Sequence, residues 1–355
     1  MRIGVPRETR IMEGRVALVP AAAGDLVRLG HEVWLEHDAG LASGFDDGEY
    51  ERLGVRIAPD ATALYARGEL IVKVKEPVAG DLALLREDHL LFCYLHLAPD
   101  PGLARRLLDI GLTAVAFETV ELDDASLPLL APMSVIAGRI AVQVGTHYLH
   151  QPLGGKGTLL GGLPATPRGK VVVLGAGQAG GAAAALAASA GAGVVVFEKR
   201  PARLEAMMRL GHNVTALYPY EDLVAREVAS ADRVVGAVLV PGAVAPHVVS
   251  RAMVQAMEAG SVVVDIAIDQ GGCFETSRAT TWQEPTFVEE GVTHFCVGNM
   301  PGAVPRTASQ AISAAILPWV DRLASGDWRG DAALVRGLNV EAGQLVHPAL
   351  QSMKL

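Results

Sequence analysis

The segment from Lys170 to Gly180, KVVVLGAGQAG, constrains the fold more than any other part of the chain. An apolar run that predicts a buried strand leads directly into Gly175, Gly177 and Gly180, and an alanine-rich helical pattern follows. In such a unit the first glycine permits a sharp bend, the second lets a pyrophosphate approach the backbone, and the third lets the helix pack on the strand. The N-terminus of that helix offers N–H groups to the phosphates. The segment therefore predicts a dinucleotide-binding turn.

The acid that ends the next predicted strand indicates which dinucleotide is bound. Glu198 lies where a carboxylate binds the 2′-hydroxyl of the ribose, and its charge repels a 2′-phosphate. We therefore expect NAD rather than NADP. Lys199 and Arg200 weaken this preference, because a basic residue nearby can accommodate the phosphate. A solvated acid at a strand end is the alternative interpretation of Glu198.

The alternation of strand and helix patterns predicts the fold class. Two domains are expected, because 355 residues exceed the usual span of one domain. The predicted strands are Met1–Val5, His31–Glu36, Glu69–Lys75, His89–His96, Thr113–Val120, Lys170–Leu174, Gly193–Glu198, Arg233–Val240 and Ser261–Ile268. The predicted helices include Ala21–Leu29, Pro101–Ile110, Ser134–Leu149 with Ser134 as its N-cap, and Thr307–Leu323 after a loop over Met300–Pro305. Such alternation is typical of βαβ units and parallel sheets.

We predict an α/β protein of two doubly wound Rossmann-like domains, with the NAD-binding domain inserted into the substrate domain. The boundaries place residues 131–305 in the NAD-binding domain, and residues 1–130 and 306–355 in the substrate or catalytic domain. An all-β or α+β arrangement of the first third is the alternative.

Composition excludes several classes of function. The net charge of −9 gives no reason to expect a nucleic-acid partner. No apolar run approaches the roughly 20 residues of a membrane span, and the first residues lack the pattern of a secretory signal, so a soluble cytoplasmic protein is expected. Cys93, Cys273 and Cys296 are far apart and predicted to be reduced and buried, and no group of residues has the spacing of a metal site.

Further motifs follow one another in order from residue 1 to about residue 330. They are MRIGVPRET, EGRVALVP, KVKEP at Lys73–Pro77, FCYLHLA at Phe92–Ala98, LPLLAPMS at Leu127–Ser134, GAVLVPGA at Gly236–Ala243, VDIAIDQGGCFE at Val264–Glu275 and NMPGAVPRT at Asn299–Thr307. With these motifs the chain resembles the alanine dehydrogenases of the alanine dehydrogenase/pyridine nucleotide transhydrogenase family. The transhydrogenase α subunit shares the fold but differs at the LPLLAPMS segment.

The resemblance implies the residues of a substrate site. Arg15 matches the arginine that binds the substrate carboxylate, and Lys75 matches the lysine that contacts the substrate and polarises its carbonyl. His96 matches the catalytic histidine, and Asp269 the active-site aspartate. An imidazole suits the proton transfers of oxidative deamination. The sequence does not decide between His96 and Asp269 as the main proton carrier; we assign His96 the larger role and expect the nearby Asp265 to be structural.

The resemblance also implies contacts with the cofactor. The candidate residues are Ser134, Gly175, Gly177, Gln178, Ala179, Gly180, Glu198, Arg203, Val238, Leu239, Ile266, Ala267, Ile268, Asp269, Arg278, Val297, Gly298, Asn299 and Met300. We expect Asn299 and Met300 on the nicotinamide side. The reaction implied is the reversible conversion of L-alanine and NAD to pyruvate, ammonium and NADH, catalysed by a homo-oligomer that is expected to be a hexamer.

Some segments depart from the family pattern. Val135 replaces a glutamate that usually follows PMS, GGLPATPRGK at 161–170 is a variant linker, and Leu217–Tyr220 (LYPY) replaces small hydroxyl residues near the expected adenine pocket. The C-terminal motif is only loosely kept. Three alternatives therefore stay open: a dehydrogenase of another small 2-amino or 2-oxo acid, a transhydrogenase-like component that binds NAD, and a non-catalytic module.

Overall fold

The computed structural model describes residues 1–238, 245–351 and 353. The chain divides into two units, Met1–Met133 with Gly302–Leu355, and Ser134–Pro301. The second unit is therefore an insertion in the sequence of the first. The predicted boundaries lie after residues 130 and 305, whereas the units divide after Met133 and Pro301.

The first unit begins with alternating strands and helices. Its elements are β1 (Arg2–Val5), α1 (Pro20–Arg28), β2 (Glu32–Glu36), α2 (Asp47–Glu51), β3 (Arg56–Ala58), α3 (Ala61–Arg67), β4 (Leu70–Val72), α4 (Ala79–Leu82), β5 (Leu90–Cys93), α5 (Pro101–Ile110) and β6 (Thr113–Ala116). Helix α6 (Ala131–Tyr148) contains the boundary between the two units in sequence.

The second unit repeats this alternation, and the chain then returns to the first unit. Its elements are β7 (Lys170–Leu174), α7 (Gln178–Ser189), β8 (Gly193–Phe197), α8 (Pro201–Met208), β9 (Val214–Leu217), α9 (Glu221–Ala229), β10 (Arg233–Gly236), α10 (Arg251–Gln255), β11 (Val262–Asp265), β12 (Thr286–Glu289) and β13 (Val292–Phe295). The returning segment forms α11 (Pro305–Ala324), α12 (Ala332–Arg336), β14 (Leu338–Glu341) and β15 (Gln344–Leu345).

The two sheets share one strand order. Among the described residues, the first sheet runs β15-β14-β6-β5-β4-β1-β2-β3 and the second runs β12-β13-β11-β10-β7-β8-β9. Six neighbouring strands of each sheet are parallel and follow the Rossmann order, and antiparallel strands extend one edge. In this order the chain changes direction across the sheet between β1 and β4, and between β7 and β10. Ligands of such sheets bind outside the carboxyl ends of the strands at these points. The predicted fold class is confirmed.

The sequences of the strands and helices explain why they form. Residues Val171–Leu174 of β7 and all four residues of β11 are buried, as expected for parallel strands covered on both faces. Helix α5 begins at Pro101 after Asp100, whose carboxylate accepts the N–H of Leu103 at 2.9 Å, and it ends at Ile110, followed by Gly111 with a φ of 79°. Such local caps make these boundaries readable from sequence.

Several predicted boundaries are wrong. Helix α6 begins at Ala131, so Ser134 lies in its first turn and is not the N-cap; proline at position 132 suits the start of a helix. Helix α11 likewise begins at Pro305 rather than Thr307. The strands predicted to reach Lys75, His96 and Val120 end earlier, at Val72, Cys93 and Ala116. In each case buried residues, most of them apolar, continue after the chain has left the sheet, so the sequence does not mark where the strand ends.

Two boundaries in the second unit also differ from prediction. The strand predicted over Arg233–Val240 ends at Gly236, and the strand predicted to reach Ile268 ends at Asp265. A 3₁₀ turn over Ile268–Gln270 follows the second of these strands. The three cysteines are free and buried, which confirms that prediction.

Candidate functional site

The glycine turn after β7 has the geometry that its sequence predicts. Gly175 has a φ of 93°, a left-handed conformation that side chains disfavour, and its N–H donates to Phe197 O at 2.8 Å. A Cβ on Gly180 would lie 1.8 Å from Gly175 O, so that only glycine lets α7 pack this closely on the turn. A Cβ on Gly177 would meet only Arg203 Nη1, at 3.8 Å, which leaves the backbone there open to a ligand.

A cleft of about 320 Å³ opens at the N-terminus of α7. It is lined by Val135, Ala176, Gly177, Gln178, Gly181, Ala182, Arg203 and Met207. The first N–H groups of a helix have no acceptor within the helix, and the helix dipole places positive charge there. Together with the open backbone at Gly177 and the cation of Arg203, this cleft fits a pyrophosphate.

A close helix contact beside the turn was not found from sequence. A Cβ on Gly138 of α6 would lie 2.1 Å from Ala179 O of α7. Helix α6 therefore packs directly on the first turn of α7 and helps to fix its position. A glycine within a helical pattern is the signal that could have suggested this contact.

Glu198 is fixed at the end of β8 by hydrogen bonds from the backbone. Its carboxylate accepts the N–H groups of Ala176 at 3.1 Å, Lys199 at 2.8 Å and Arg200 at 3.1 Å. Burial raises the pKa of Glu198, but these three hydrogen bonds and the charge of Arg203 outweigh burial and lower it. The side chain therefore stays an anion beside the turn. The hydrogen bond from the backbone N–H of Lys199 to the carboxylate of Glu198 was not predictable from the sequence.

The two aspartates after β11 have different surroundings. Asp265 is buried and accepts the N–H groups of Ala267 and Cys273 and the hydroxyl of Ser277, so its role is structural. Burial raises the pKa of Asp265 despite these hydrogen bonds. Asp269 is exposed and accepts the N–H of Asn299 at 3.2 Å. Asn299 has a φ of 54°, so Asp269 stabilises a backbone conformation that is uncommon for a residue other than glycine.

The other candidate cofactor residues occupy varied positions in the second unit. Ser134, Ala179, Val238, Ile266, Gly298 and Asn299 are half-buried, whereas Ala267, Ile268, Val297 and Met300 are buried. The guanidinium of Arg278 lies 4.0 Å from the ring centroid of Phe287, which gives it a packing role. Leu239 lies outside the described residues.

In the first unit, Arg15 is buried and held by Glu13. Glu13 accepts Nε of Arg15 at 2.7 Å and also pairs with Nη2, while Nη1 donates to Met133 Sδ at 3.3 Å. Burial lowers the pKa of Arg15, but the hydrogen bonds and charge of Glu13 outweigh burial and raise it. The guanidinium is therefore an oriented permanent cation. The pairing with Glu13 is not predicted from the sequence, although arginines are seldom fully buried unless they are paired.

Two lysines follow β4, and they have different surroundings. Lys73 is buried and pairs with Glu8 at 3.4 Å and Asp81 at 3.2 Å. Lys75 is partly exposed, and its Nζ lies 3.4 Å from Glu76 Oε2. Glu8, which follows β1, accepts the N–H groups of Val74 at 2.7 Å and Lys75 at 3.3 Å. Glu8 thus joins the segments after β1 and β4 and positions the backbone of Lys75.

His96 lies three residues beyond β5, and its imidazole is accessible. Its side chain is 41% exposed, and its ring stacks on that of Tyr94 with centroids 5.7 Å apart and planes inclined by 7°. The Tyr94 hydroxyl donates to Leu129 O at 2.6 Å, and burial raises the pKa of Tyr94 far above its ordinary value. Tyr94 is therefore a neutral, fixed platform. Arg15, Lys75 and His96 all belong to the first unit, whereas Asp269 belongs to the second.

One group of possible metal ligands occurs among residues 1–238, 245–351 and 353. His37, Asp38 and Asp47 place ligand atoms within 4.8 Å of one another. His37 Nδ1 already contacts Asp47 at 2.6 Å, and its Nε2 lies 3.3 Å from Asp38. These contacts within the group account for its geometry without an ion. Within the same described residues, no helix combines the length and apolar character needed to cross a membrane.

Family models match nearly the whole chain. The model described as alanine dehydrogenase/PNT, N-terminal domain, matches residues 4–137, and the model of the corresponding C-terminal domain matches residues 141–348. The chain belongs to the alanine dehydrogenase/PNT family. This confirms the family resemblance stated from the motifs.

Curated relatives extend the similarity to full length. An alanine dehydrogenase of Halomonas elongata is 46% identical over 355 residues, which cover 99% of this chain and 96% of the relative. Alanine dehydrogenases of Methanococcus maripaludis and Mycobacterium tuberculosis are each 44% identical, over 99% and 98% of this chain and 95% of each relative.

Solved structures agree with this assignment to the alanine dehydrogenase/PNT family. An L-alanine dehydrogenase superposes with a TM-score of 0.95 at 47% identity, covering 99% of this chain and 98% of the other. A transhydrogenase from Sinorhizobium meliloti gives a TM-score of 0.85 at 28% identity, covering 98% and 100%. The dipicolinate synthase A chain of Bacillus subtilis, at 13% identity and a TM-score of 0.59 over 92% and 98%, shares the fold.

Proposed function

We propose that the chain is an oxidoreductase that interconverts L-alanine and pyruvate, with NAD as cofactor and ammonium as the second product. The observation that carries the proposal is the dinucleotide turn with Glu198 beside it in the second unit. The first unit of the same chain contains Arg15, Lys75 and His96, in segments that follow its strands. Full-length similarity to alanine dehydrogenases supports the choice of substrate.

The residues beside the turn fit NAD. Bound NAD would supply the hydride acceptor for oxidation of the amino acid and, in its reduced form, the hydride donor for the reverse reaction. The N-terminus of α7 and the backbone of Gly177 would hold the pyrophosphate, and Glu198 would accept hydrogen bonds from the ribose hydroxyls. The carboxylate of Glu198 favours NAD over NADP because it repels a 2′-phosphate. The remaining cofactor contacts predicted from the motifs stay predictions.

Arg15 and Lys75 would bind and orient the substrate. A guanidinium matches a carboxylate in shape and charge, and Glu13 has already oriented that of Arg15. The ammonium group of Lys75 would contact the oxygen of the 2-oxo acid and draw electron density from its carbonyl. Binding both ends of a small substrate aligns the α-carbon and lowers the entropic cost of reaction.

His96 and Asp269 would serve the proton transfers. Water must attack the iminium formed from the amino acid, and the resulting carbinolamine must lose ammonia. His96 would take the proton from that water and return a proton to the departing amine. Asp269 would stabilise the cationic iminium, since its carboxylate is exposed and held by the N–H of Asn299.

An assay with several 2-oxo acids tests the proposal. The chain is mixed with NADH, ammonium and one of pyruvate, glyoxylate, hydroxypyruvate or 2-oxobutyrate, and oxidation of NADH is followed by absorbance. We expect the highest kcat/KM with pyruvate and no oxidation without ammonium. A higher kcat/KM with another acid would reassign the substrate, and NADH binding without oxidation of any acid would favour a transhydrogenase-like or non-catalytic role.

Assembly and location follow from the same family resemblance. We propose a homohexamer that acts in the cytoplasm. Light scattering on the purified chain measures the mass of the assembly directly, and fractionation of the source cells tests the location.

A further inference from the structure

The turn that carries His96 has an unusual backbone. Strand β5 ends at Cys93, and His96 adopts a φ of 46° three residues later. This left-handed conformation costs free energy for a residue with a side chain, because the Cβ crowds the carbonyl oxygen, although histidine adopts it more often than most residues. A contact from another segment that stabilises the conformation would offset this cost.

Glu118 supplies that stabilisation from the neighbouring strand. It lies in the 3₁₀ turn Phe117–Thr119, directly after β6, and β6 pairs in parallel with β5 so that Ala116 lies opposite Cys93. Its Oε1 accepts the N–H of His96 at 2.6 Å. Both of its carboxylate oxygens lie 3.2 Å from the N–H of Leu95. One carboxylate thus binds two successive N–H groups of the turn.

The same contacts place the imidazole. Glu118 Oε1 lies 3.9 Å from Nδ1 of His96, so the carboxylate lies beside the ring as well as against the backbone. Tyr94 stacks on one face of the ring. Phe117, next to Glu118, packs edge-on against Tyr94 with centroids 5.0 Å apart. Residues 117 and 118 therefore fix both the turn and the platform on which the imidazole rests.

We propose that Glu118 is a positioning residue, whose carboxylate holds His96 in its left-handed turn and so places the imidazole for proton transfer. This inference rests on the proposed function for its kinetic consequence. The reach of the side chain matters more than its charge, because the acceptor oxygens must lie at the N–H groups of Leu95 and His96.

Two conservative variants separate reach from charge. Glu118→Asp keeps the charge but withdraws the carboxylate by one methylene, so we expect kcat to fall by about a hundredfold, the order of loss caused by a displacement near 1 Å. Glu118→Gln keeps the length and one acceptor oxygen, so we expect kcat within about tenfold of the wild type, since that oxygen can still accept the N–H of His96. KM for NADH should change little in either variant, because the dinucleotide turn lies in the other unit.

A matched control comes from the amino end of a strand in the same sheet, whereas Glu118 follows the carboxyl end of one. Glu69 precedes β4, is half-buried, and accepts the N–H of Arg2 at 2.7 Å, so Glu69→Gln removes a carboxylate that binds backbone without approaching His96. We expect that control to keep the wild-type kcat. Equal losses in Glu118→Asp and Glu118→Gln, a greater loss in Glu118→Gln, or no loss in either would overturn the inference.

A crystal structure of Glu118→Asp separates this inference from the proposed function. We expect His96 to relax to a negative φ in that variant and to keep its positive φ in Glu118→Gln, whether or not the wild type oxidises NADH with pyruvate. A wild type without activity would contradict the proposed function alone, whereas an unchanged His96 backbone in Glu118→Asp would contradict the role of Glu118.

Discussion

Glu13 Oε1 accepts both the backbone N–H of Arg15, at 3.1 Å, and its Nε, at 2.7 Å, so that one carboxylate fixes the chain and the guanidinium of the same residue. Both side chains are buried. The orientation of the Arg15 guanidinium is therefore set before any ligand binds, which reduces the entropy lost on binding.

Replacement of Arg15 by lysine tests this orientation. A lysine keeps the charge but loses the planar fork, so we expect Arg15→Lys to raise KM for pyruvate by about ten- to a hundredfold. Steady-state kinetics measures KM for pyruvate and for NADH. Arg28→Lys, at an exposed arginine paired with Asp25, is the control and should change neither. An unchanged KM for pyruvate in Arg15→Lys would exclude a substrate contact there.

The contact between α6 and α7 predicts that a single methyl group weakens cofactor binding. Gly138→Ala would place a Cβ 2.1 Å from Ala179 O, and overpacking of this kind costs about 1–3 kcal/mol. We expect a lower free energy of unfolding in urea and weaker NADH binding by fluorescence titration, since the first turn of α7 must move.

The matched control is Gly80→Ala in α4, where a Cβ would have no neighbour within 4 Å. That variant should bind NADH as the wild type does. If Gly138→Ala also binds NADH with unchanged affinity, the position of the first turn of α7 does not depend on α6.

The parts of the molecule that depend on local sequence could be predicted, and those that depend on contacts between distant segments could not. The turn at Gly175 was located because strand, glycines and helix are contiguous. Glu118 was missed because it lies 22 positions from His96 and meets it only through the pairing of β5 with β6. The strand ends at Lys75 and His96 were misplaced because apolar residues continue beyond the sheet edge into buried turns.

The charge of Glu198 predicts the choice of cofactor. Its pKa is lowered by backbone hydrogen bonds, so it is an anion at neutral pH. We expect Glu198→Gln to lower the ratio of kcat/KM for NADH to that for NADPH by about tenfold, because the neutral amide no longer repels a 2′-phosphate. Glu205→Gln, on the exposed surface of α8, should leave the ratio unchanged. An unchanged ratio in Glu198→Gln would mean that another group selects the cofactor.

A buried histidine predicts how stability depends on pH. His294 contacts Val292 O through Nδ1 at 3.0 Å and the hydroxyl of Thr276 through Nε2 at 2.7 Å, and burial lowers its pKa. Below a pH of about 6.5 the unfolded state binds a proton that the folded state does not. Its contribution to stability is therefore fully present above that pH and is lost as the pH falls toward the folded pKa.

Urea denaturation at pH 8 and pH 5.5 measures this effect. We expect His294→Asn to lose less stability than the wild type between the two pH values. His89 and His347, whose pKa values burial also lowers, should retain part of the dependence. Thr276→Val removes the hydrogen bond to Nε2 but keeps the titrating imidazole, so it should lower stability while retaining a dependence on pH. A pH dependence equal to the wild type in His294→Asn would contradict the assignment.

The identity of the product tests the central claim most directly. The chain is incubated with NADH, pyruvate and ¹⁵N-ammonium, and the product is analysed by mass spectrometry after chiral separation. The account predicts ¹⁵N-labelled L-alanine in amounts equal to the NADH consumed. Lactate, unlabelled alanine or consumption of NADH without an amino acid would contradict it.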